Sequence, residues 1–360
     1  MSADVLIENK VDRIGRALDE IMLKEKRPRM AAGEPQQVSE HRKAFETYLR
    51  KGDNANLGAI EMKAMSAGSD PDGGYLVPDE IETEIGRLLK DSSPIRAIAG
   101  IRQVSASVYK KPFTTVGAEA GWVGETAARD QTDSPTLAEL QFPAMELYAM
   151  PAATQALLDD AAVDLDKWIA EEVELAFAEQ ETLAFISGNG TNKPKGFLDY
   201  TKVADASWAW GSIGYLITGV SGGFAASDPA DKLIDLVYAL KAGYRQNAHW
   251  VMNRKTQGAV RKLKDGEGNY LWQPAAAGGR ASLLGYEIVE AEDMPDIGAN
   301  AHAIAFGDFR RGYLIVDRLG VRVLRDPYSA KPYVLFYTTK RVGGGVQNFE
   351  AIKLLKFGTS

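Results

Sequence analysis

Apolar positions change period several times along the chain, and each change marks an element. Ile7, Val11, Ile14, Leu18 and Ile21 recur at alternating spacings of four and three, with Asp12, Arg13, Arg16, Asp19 and Glu20 on the other faces. That is the seam of a two-heptad coiled coil, too short to be stable without a partner chain. Pro28 ends it. A polar stretch, "RPRMAAGEPQQVSE", leads to a short helix around His41 to Arg50, and "KGDNANLGAIEMKAMSAGSDPDGG" then reads as an extended linker. The expectation is a helical segment on a long tether, detachable from the main body.

In "GGYLVPDEIETEIGRLLKDSSPIRAIAG" the pattern predicts an extended entry at Tyr75 to Val77 and a helix from Pro78, its apolar face on Ile81, Ile85 and Leu88 or Leu89. "IRQVSASVYKKPFTTVG" alternates like a strand and "FPAMELYAMPAATQ" like its return partner. The polar, acidic stretch between them, "AEAGWVGETAARDQTDSPTLAEL", is too long for a tight hairpin and carries Trp122, a residue type that commonly anchors docking. From Asp164 the positions Leu165, Trp168, Ile169, Val173, Ala176, Phe177, Leu183 and Ala184 predict a long helix with one apolar face, stopped at Gly188. Residues 201–325 read as α/β: a helix over 230–246, the strand "HWVMN", the helix "RKTQGAVRKLK", then the strands "LGYEIVEA", "AHAIAFGDF", "GYLIVDR" and "GVRVLRD". "YVLFYTTKRVGGGV" and "EAIKLLKFG" contain two more strands, expected to return to the sheet begun near Val104.

Composition narrows the function classes. A chain of 360 residues with 45% hydrophobic content can bury a large core, in one domain or a few. A net charge of -7 lacks the basic excess of a protein that holds nucleic acid by neutralising phosphates. With no Cys there are no disulfides, thiolate metal sites or cysteine nucleophile. No apolar run reaches membrane-span length and the N-terminus is too charged for a signal peptide, so the expectation is a cytoplasmic product.

The chemical motifs fail on context. "FISGNGTNKPKGFLDY" resembles a phosphate cradle, but a P-loop needs a strand before its glycines and a Lys-Ser or Lys-Thr pair after them. Here a helix precedes Gly188 and Pro194 interrupts the turn, so Gly-Asn-Gly reads as a helix C-cap and tight turn. Gly219-Val220-Ser221-Gly222-Gly223 matches the nucleophile elbow, which requires a helix directly after the serine; "GGFAAS" intervenes, and Ser221 reads as a loop residue. His41, His249 and His302 have no metal-binding spacing and read as ordinary core or surface histidines. No catalytic residue, cofactor or metal is expected.

Taken together, "GGYLVP", "AGWVGETAA", "FISGNGTNKPKGF", "HWVMN", "LKDGEGNYLW", "LLGYEIV" and "AIAFGDF" resemble, in order, the landmarks of tailed-phage major capsid proteins with the Hong Kong 97-type fold. The opening "SADVLIENKVDRI" also resembles the major capsid proteins of alphaproteobacterial gene transfer agents. The resemblance implies an α+β fold with five parts. These are an N-terminal helical scaffold-like segment and linker (1–66), an N-terminal arm and first helix (67–100), and an extended β-hairpin loop (101–150). A peripheral domain built on a spine helix and β-sheet (151–200 and 326–360) and an axial α/β domain (201–325) complete it.

The function so implied is self-assembly into hexamers and pentamers and then a DNA-enclosing shell, formed in a bacterial cytoplasm. Its partners would be a portal protein, a maturation protease, decoration proteins and packaged double-stranded DNA held without sequence-specific contact; no membrane is involved. Trp122, Glu125, Arg129, Asp130 and Asp133 are the expected assembly contacts. Some family members cross-link a loop lysine to a peripheral-domain asparagine. Here "ETAARDQTD" offers Thr126 and Arg129 but no Lys, and Pro332 rather than Asn precedes Tyr333, so cohesion is expected to be non-covalent. An encapsulin-like compartment of the same fold and a serine hydrolase using Ser221 are the alternatives.

Overall fold

The computed structural model describes residues 40–52, 56–57, 75–76, 93–116, 136–154, 158, 165–264, 270 and 282–359. The N-terminal seam Ile7, Val11, Ile14, Leu18 and Ile21, the helix expected from Pro78, and the loop with Trp122, Glu125, Arg129, Asp130 and Asp133 all lie outside them. The chain divides into two compact units, Met1–Lys43 and Ala44–Ser360.

The second unit is built on two sheets. One is six-stranded: β1 (Tyr75–Leu76), β13 (Tyr313–Asp326), β14 (Tyr333–Val346) and β5 (Met145–Ala149) lie side by side, β2 (Gly100–Val104) also pairs with β13, and β6 (Ala152–Thr154) with β14. The other is seven-stranded, in the order β10 (Ser282–Leu283), β11 (Tyr286–Glu290), β9 (His249–Met252), β12 (Ile304–Gly307), β15 (Ile352–Lys356), β8 (Ile213–Ile217), β7 (Lys202–Ala204). Apart from both, β3 (Val108–Val116) and β4 (Thr136–Pro143) form a two-stranded antiparallel hairpin.

Two expectations about chain path change. "GYLIVDR" and "GVRVLRD" are one strand, β13, bent by a register shift between Arg318 and Arg322, and it joins the six-stranded sheet rather than the body expected over 201–325. β15 does not return to the sheet near Val104; it pairs with β12 and β8 in the seven-stranded sheet. The cause is burial on both faces: Ile352, Leu354 and Leu355 are fully buried, which suits a central strand, while alternation alone names no neighbour. The helix expected over 230–246 also breaks, into Asp231–Ala239 and Ala242–Arg245, because Leu240 turns into the core with extended backbone.

Helix α1 (Glu40–Lys51) corrects the tether reading. Its Phe45, Tyr48 and Leu49, with Leu57 beyond, belong to the core formed by Ile169, Val173, Phe177, Val321, Val323, Val334 and Phe336. Arg325 fastens the helix end: its backbone N–H donates to the Tyr48 hydroxyl at 3.0 Å and its Nε to the Leu49 carbonyl at 3.0 Å. Ala44, Phe45, Tyr48, Leu49 and Leu57 are therefore part of the folded body. Removing a buried leucine side chain loses its transfer energy and leaves a cavity. Leu49→Ala is expected to cost about 2–5 kcal/mol in denaturant unfolding, against less than about 0.5 kcal/mol for Lys51→Ala on the exposed face.

Candidate assembly surface

The long helix expected from Asp164 is α3 (Leu165–Ser187), but its buried stripe is not purely apolar. Ile169, Val173, Phe177 and Ala184 are buried as expected, whereas Ala176 and Leu183 are exposed and Glu174 and Glu181 are buried. Glu181 has no solvent contact and is satisfied by two cations. The Arg96 guanidinium, on the short helix α2 (Pro94–Ile98), donates to Glu181 Oε2 at 2.8 Å from Nε and 2.5 Å from Nη2. The same guanidinium reaches Asp317 on β13 at 2.6 Å and 3.1 Å. Lys340 on β14 closes the ring, 3.0 Å from Glu181 and 3.4 Å from Asp317.

Two positive and two negative charges thus share one largely buried site, in which only the Asp317 side chain keeps appreciable exposure, 15%. Burial alone would lower the Arg96 pKa, but the Glu181 and Asp317 charges outweigh it and raise it. Burial likewise opposes the Asp317 carboxylate, yet Lys340 and Arg96 bring its pKa from the ordinary 3.8 to about 2. A carboxylate with a depressed native pKa stabilises the fold above its unfolded pKa and loses that contribution as pH falls through the native one. For Asp317 this amounts to about 2 kcal/mol, present above about pH 4 and lost toward pH 2. In Asp317→Asn, unfolding free energy should be lower by roughly 2–3 kcal/mol at neutral pH and should converge on wild type between about pH 4 and pH 2. Parallel pH profiles for the two proteins would refute this role.

α3 ends in the stretch that resembles a phosphate cradle. Gly188 N–H donates to Ala184 C=O at 2.9 Å, Gly190 has φ +75°, and Gly196 N–H returns to Gly188 C=O at 2.8 Å. This is the C-cap and turn read from the sequence, closed against the sheet: the Tyr313 hydroxyl donates to Lys195 C=O at 2.9 Å, and Lys195 N–H to Gly344 C=O at 3.2 Å. The N–H groups of Gly188, Thr191, Lys195 and Gly196 are engaged within the protein, and the glycines follow a helix end rather than open a helix N-terminus, which is not the arrangement of a phosphate cradle.

The hairpin is not the one read from the sequence: "IRQV" is β2, paired with β13, so the outgoing arm starts at Val108, and the return arm is Thr136–Pro143, while "MELYA" and "AAT" pair with β14 instead. Its root crosses β14 at Gly343-Gly344-Gly345. A Cβ on Gly343 would lie 2.4 Å from the Pro143 carbonyl oxygen, and one on Gly345 would be 3.2 Å from the Phe142 ring and 2.7 Å from the Tyr200 hydroxyl. Only glycine permits this backbone approach. Phe142 then packs on Leu314 and Val316, with Val104, Tyr109 and Leu140 around it. The sequence reading passed over "GGG", although a glycine run within a strand is the signal for such a crossing. Gly343→Ala is expected to cost about 1–3 kcal/mol and to shift the hairpin root, whereas Gly223→Ala, with no atom within 4 Å of the added methyl, should be neutral or slightly stabilising. Thermal unfolding of the pair checks it.

Ser221 is exposed in a loop, and the next helix begins ten residues later at Asp231, so nothing orients it as an elbow nucleophile. His41 lies on α1, His249 on β9 and His302 in the stretch before β12, and among the described residues no His, Asp and Glu cluster could hold a metal. Burial, then the Lys202 and Lys356 charges, push His302 down to about 4, and the neutral ring packs edge-on to Tyr215. No described helix is long and apolar enough to cross a membrane. Large apolar side chains on the surface are instead the conspicuous feature: Leu175 on α3 is 68% exposed and Tyr238 71%, with Tyr148 and Tyr328 similarly open.

A family model described as the phage capsid family matches residues 73–357. Among solved structures, the capsid of an empty GTA particle is similar with a TM-score of 0.70 and 48% identity, over 83% of this chain and 98% of that one. The capsid of a native GTA particle gives 0.67 and 51%, over 74% and 97%. The major capsid protein of Klebsiella oxytoca phage phiKO2 is 24% identical over 266 residues, 71% of this chain; the match spans only 58% of the phiKO2 protein.

Proposed function

Because the chain belongs to the phage capsid family, we propose that it is the major capsid protein of a tailed phage or gene transfer agent particle, a structural protein rather than an enzyme. The observation that carries this reading is the extent of the family match. Residues 73–357 take in the β3–β4 hairpin, α3, both sheets and the glycine crossing, so the likeness is to a whole subunit rather than a shared module. The relatives at 48% and 51% identity are capsids of GTA particles, which favours a particle shell over an encapsulin-like compartment; the exposed loop setting of Ser221 gives a hydrolase no support.

Identical subunits close into hexamers and pentamers and then a shell, with each copy's surface complementary to its neighbours'. The hairpin arm carries the 117–135 loop across a neighbouring subunit, where Trp122 is the anchor and Glu125, Arg129, Asp130 and Asp133 form the charged rim. Exposed apolar residues such as Leu175 and Tyr238 are covered by other copies. The acidic chain encloses double-stranded DNA without neutralising it. Shell assembly takes place in the bacterial cytoplasm with a portal and decoration proteins. The N-terminal seam acts as an internal scaffold, and a maturation protease that cuts before Ala44 leaves the α1 core contacts intact.

Electron microscopy of the expressed chain should show closed particles of uniform diameter. Exposed ion pairs contribute about 0–1 kcal/mol each, so Trp122→Ala should lower particle yield more than Glu125→Ala. Particles boiled in detergent should run as monomers. Amorphous or monomeric protein would remove the shell reading, equal yields from both variants would remove the anchor, and a covalent ladder would remove the non-covalent claim.

A further inference from the structure

Beyond its root, the hairpin touches its own body through a small, separate set of contacts. The Phe113 ring stacks on Trp210 with centroids 5.3 Å apart and planes at 27°. Trp210 in turn meets Phe349 at 5.6 Å and Trp208 at 6.5 Å, edge to face, and Phe349 meets Tyr200 at 5.3 Å. Beside the stack, Lys111 Nζ donates to Gln347 Oε1 at 2.6 Å, and Gln347 Nε2 donates to Arg310 C=O at 3.2 Å. Just past Phe113 the β3–β4 register shifts, between Thr114 and Val116.

The two attachments differ in kind. At the root, Phe142 is buried, the Arg102 guanidinium lies 4.8 Å above the Tyr109 ring, and Ala144 N–H bonds Ser107 C=O at 2.8 Å; backbone close approach at Gly343 fixes the crossing. At Phe113 one aromatic stack and one side-chain hydrogen bond hold the arm, and Trp210 keeps 38% of its surface in water. A pair of that kind shifts an open-to-closed ratio by only about 2- to 12-fold beyond its area burial.

We propose that Phe113–Trp210, with Lys111–Gln347, is a releasable latch: the glycine crossing is the pivot of the hairpin, and the latch sets its closed angle on the free subunit. The shell reading gives the latch its use. A chain that serves in both hexamers and pentamers meets neighbours at different angles, and a weakly held arm on a fixed pivot meets both without disturbing the core.

Amide hydrogen exchange on the unassembled chain tests the latch without reference to shells. In Trp210→Ala, the amides of Lys111, of 113–116 and of 136–140 should exchange about 3- to 10-fold faster, while those of Tyr109 and Phe142 at the root keep their rates. Trp210→Phe, which preserves a stack, should restore slow exchange. Unchanged exchange in Trp210→Ala, or equal acceleration at root and arm, overturns the latch. The chain has no Cys, so Phe113→Cys with Trp210→Cys creates the sole maleimide sites. Subunits joined by a short bismaleimide should fail to form regular shells, and the same subunits blocked with a monofunctional maleimide should form them. Normal shells from the bridged subunits overturn the need for release. Should neither wild type nor any variant assemble, the shell reading fails while the exchange result still decides the latch.

Discussion

Four charges gathered in a largely buried site, Arg96, Glu181, Asp317 and Lys340, set the geometry on which the rest of this molecule depends. They come from a five-residue helix, the 23-residue helix and the two long strands, and no two share an element. Apolar contacts between a helix and a sheet are non-directional and would tolerate sliding. Charge-assisted hydrogen bonds are directional and fail quickly when displaced. The guanidinium faces one carboxylate with Nε and Nη2 and the other with Nη1 and Nη2, so one turn of the helix is held opposite one position of β13. Losing any one member would leave a partner charge short of compensation in a largely buried site, which destabilises the fold.

With helix and sheet in register, β14 becomes a crossing point. Alternate residues of a strand face opposite sides. Gly343 and Gly345 face Pro143, Phe142 and Tyr200, while Gly344 faces the Tyr313 ring. One face of the glycine run therefore accepts the hairpin root. The other abuts Tyr313, whose hydroxyl bonds the turn that ends α3. The absence of side chains here is what lets a helix end, a sheet and a projecting hairpin meet within a few ångströms.

Local order was legible in the sequence, and long-range pairing was not. The spine helix, "HWVMN" and the Gly-Asn-Gly turn announce themselves through period and turn chemistry, which act over a few residues, whereas the return arm of the hairpin, a long-range pairing, is not the stretch that alternation suggests. Asn253 is such a case: its side chain caps the following helix at Thr256 N–H, 2.8 Å away, as a strand-to-helix Asn should. The quartet gives no local signal, because Arg96 meets partners 85 and 221 positions away. Glu181 falls four residues after Phe177 and three before Ala184, on the stripe that periodicity reserves for apolar side chains, but nothing nearby in the sequence names the cations that satisfy it there; Leu183 lies off that stripe and is exposed. β15 looked like a companion to β14 since they are neighbours in sequence, yet its full burial suited the centre of the other sheet. Of the site itself, the glycine run could have been read; the expected contacts at Trp122, Glu125, Arg129, Asp130 and Asp133 belong to residues the structure does not describe.

The same contrast between strong and weak contacts separates what is fixed in this subunit from what can adjust. The quartet, the α1 core contacts and the glycine crossing each combine burial with directional bonding or backbone close approach. Phe113 on Trp210 and the surface pairs, such as Lys110–Glu139 at 3.1 Å across the hairpin, are partly in water and individually cheap to break. A shell built from one sequence needs both. A body that does not yield fixes where each contact lies, and on the latch proposed above the arm is the part that adjusts to its neighbours. In this chain the change from one regime to the other falls within five residues of β3, between Tyr109 at the buried root and Phe113 at the open stack.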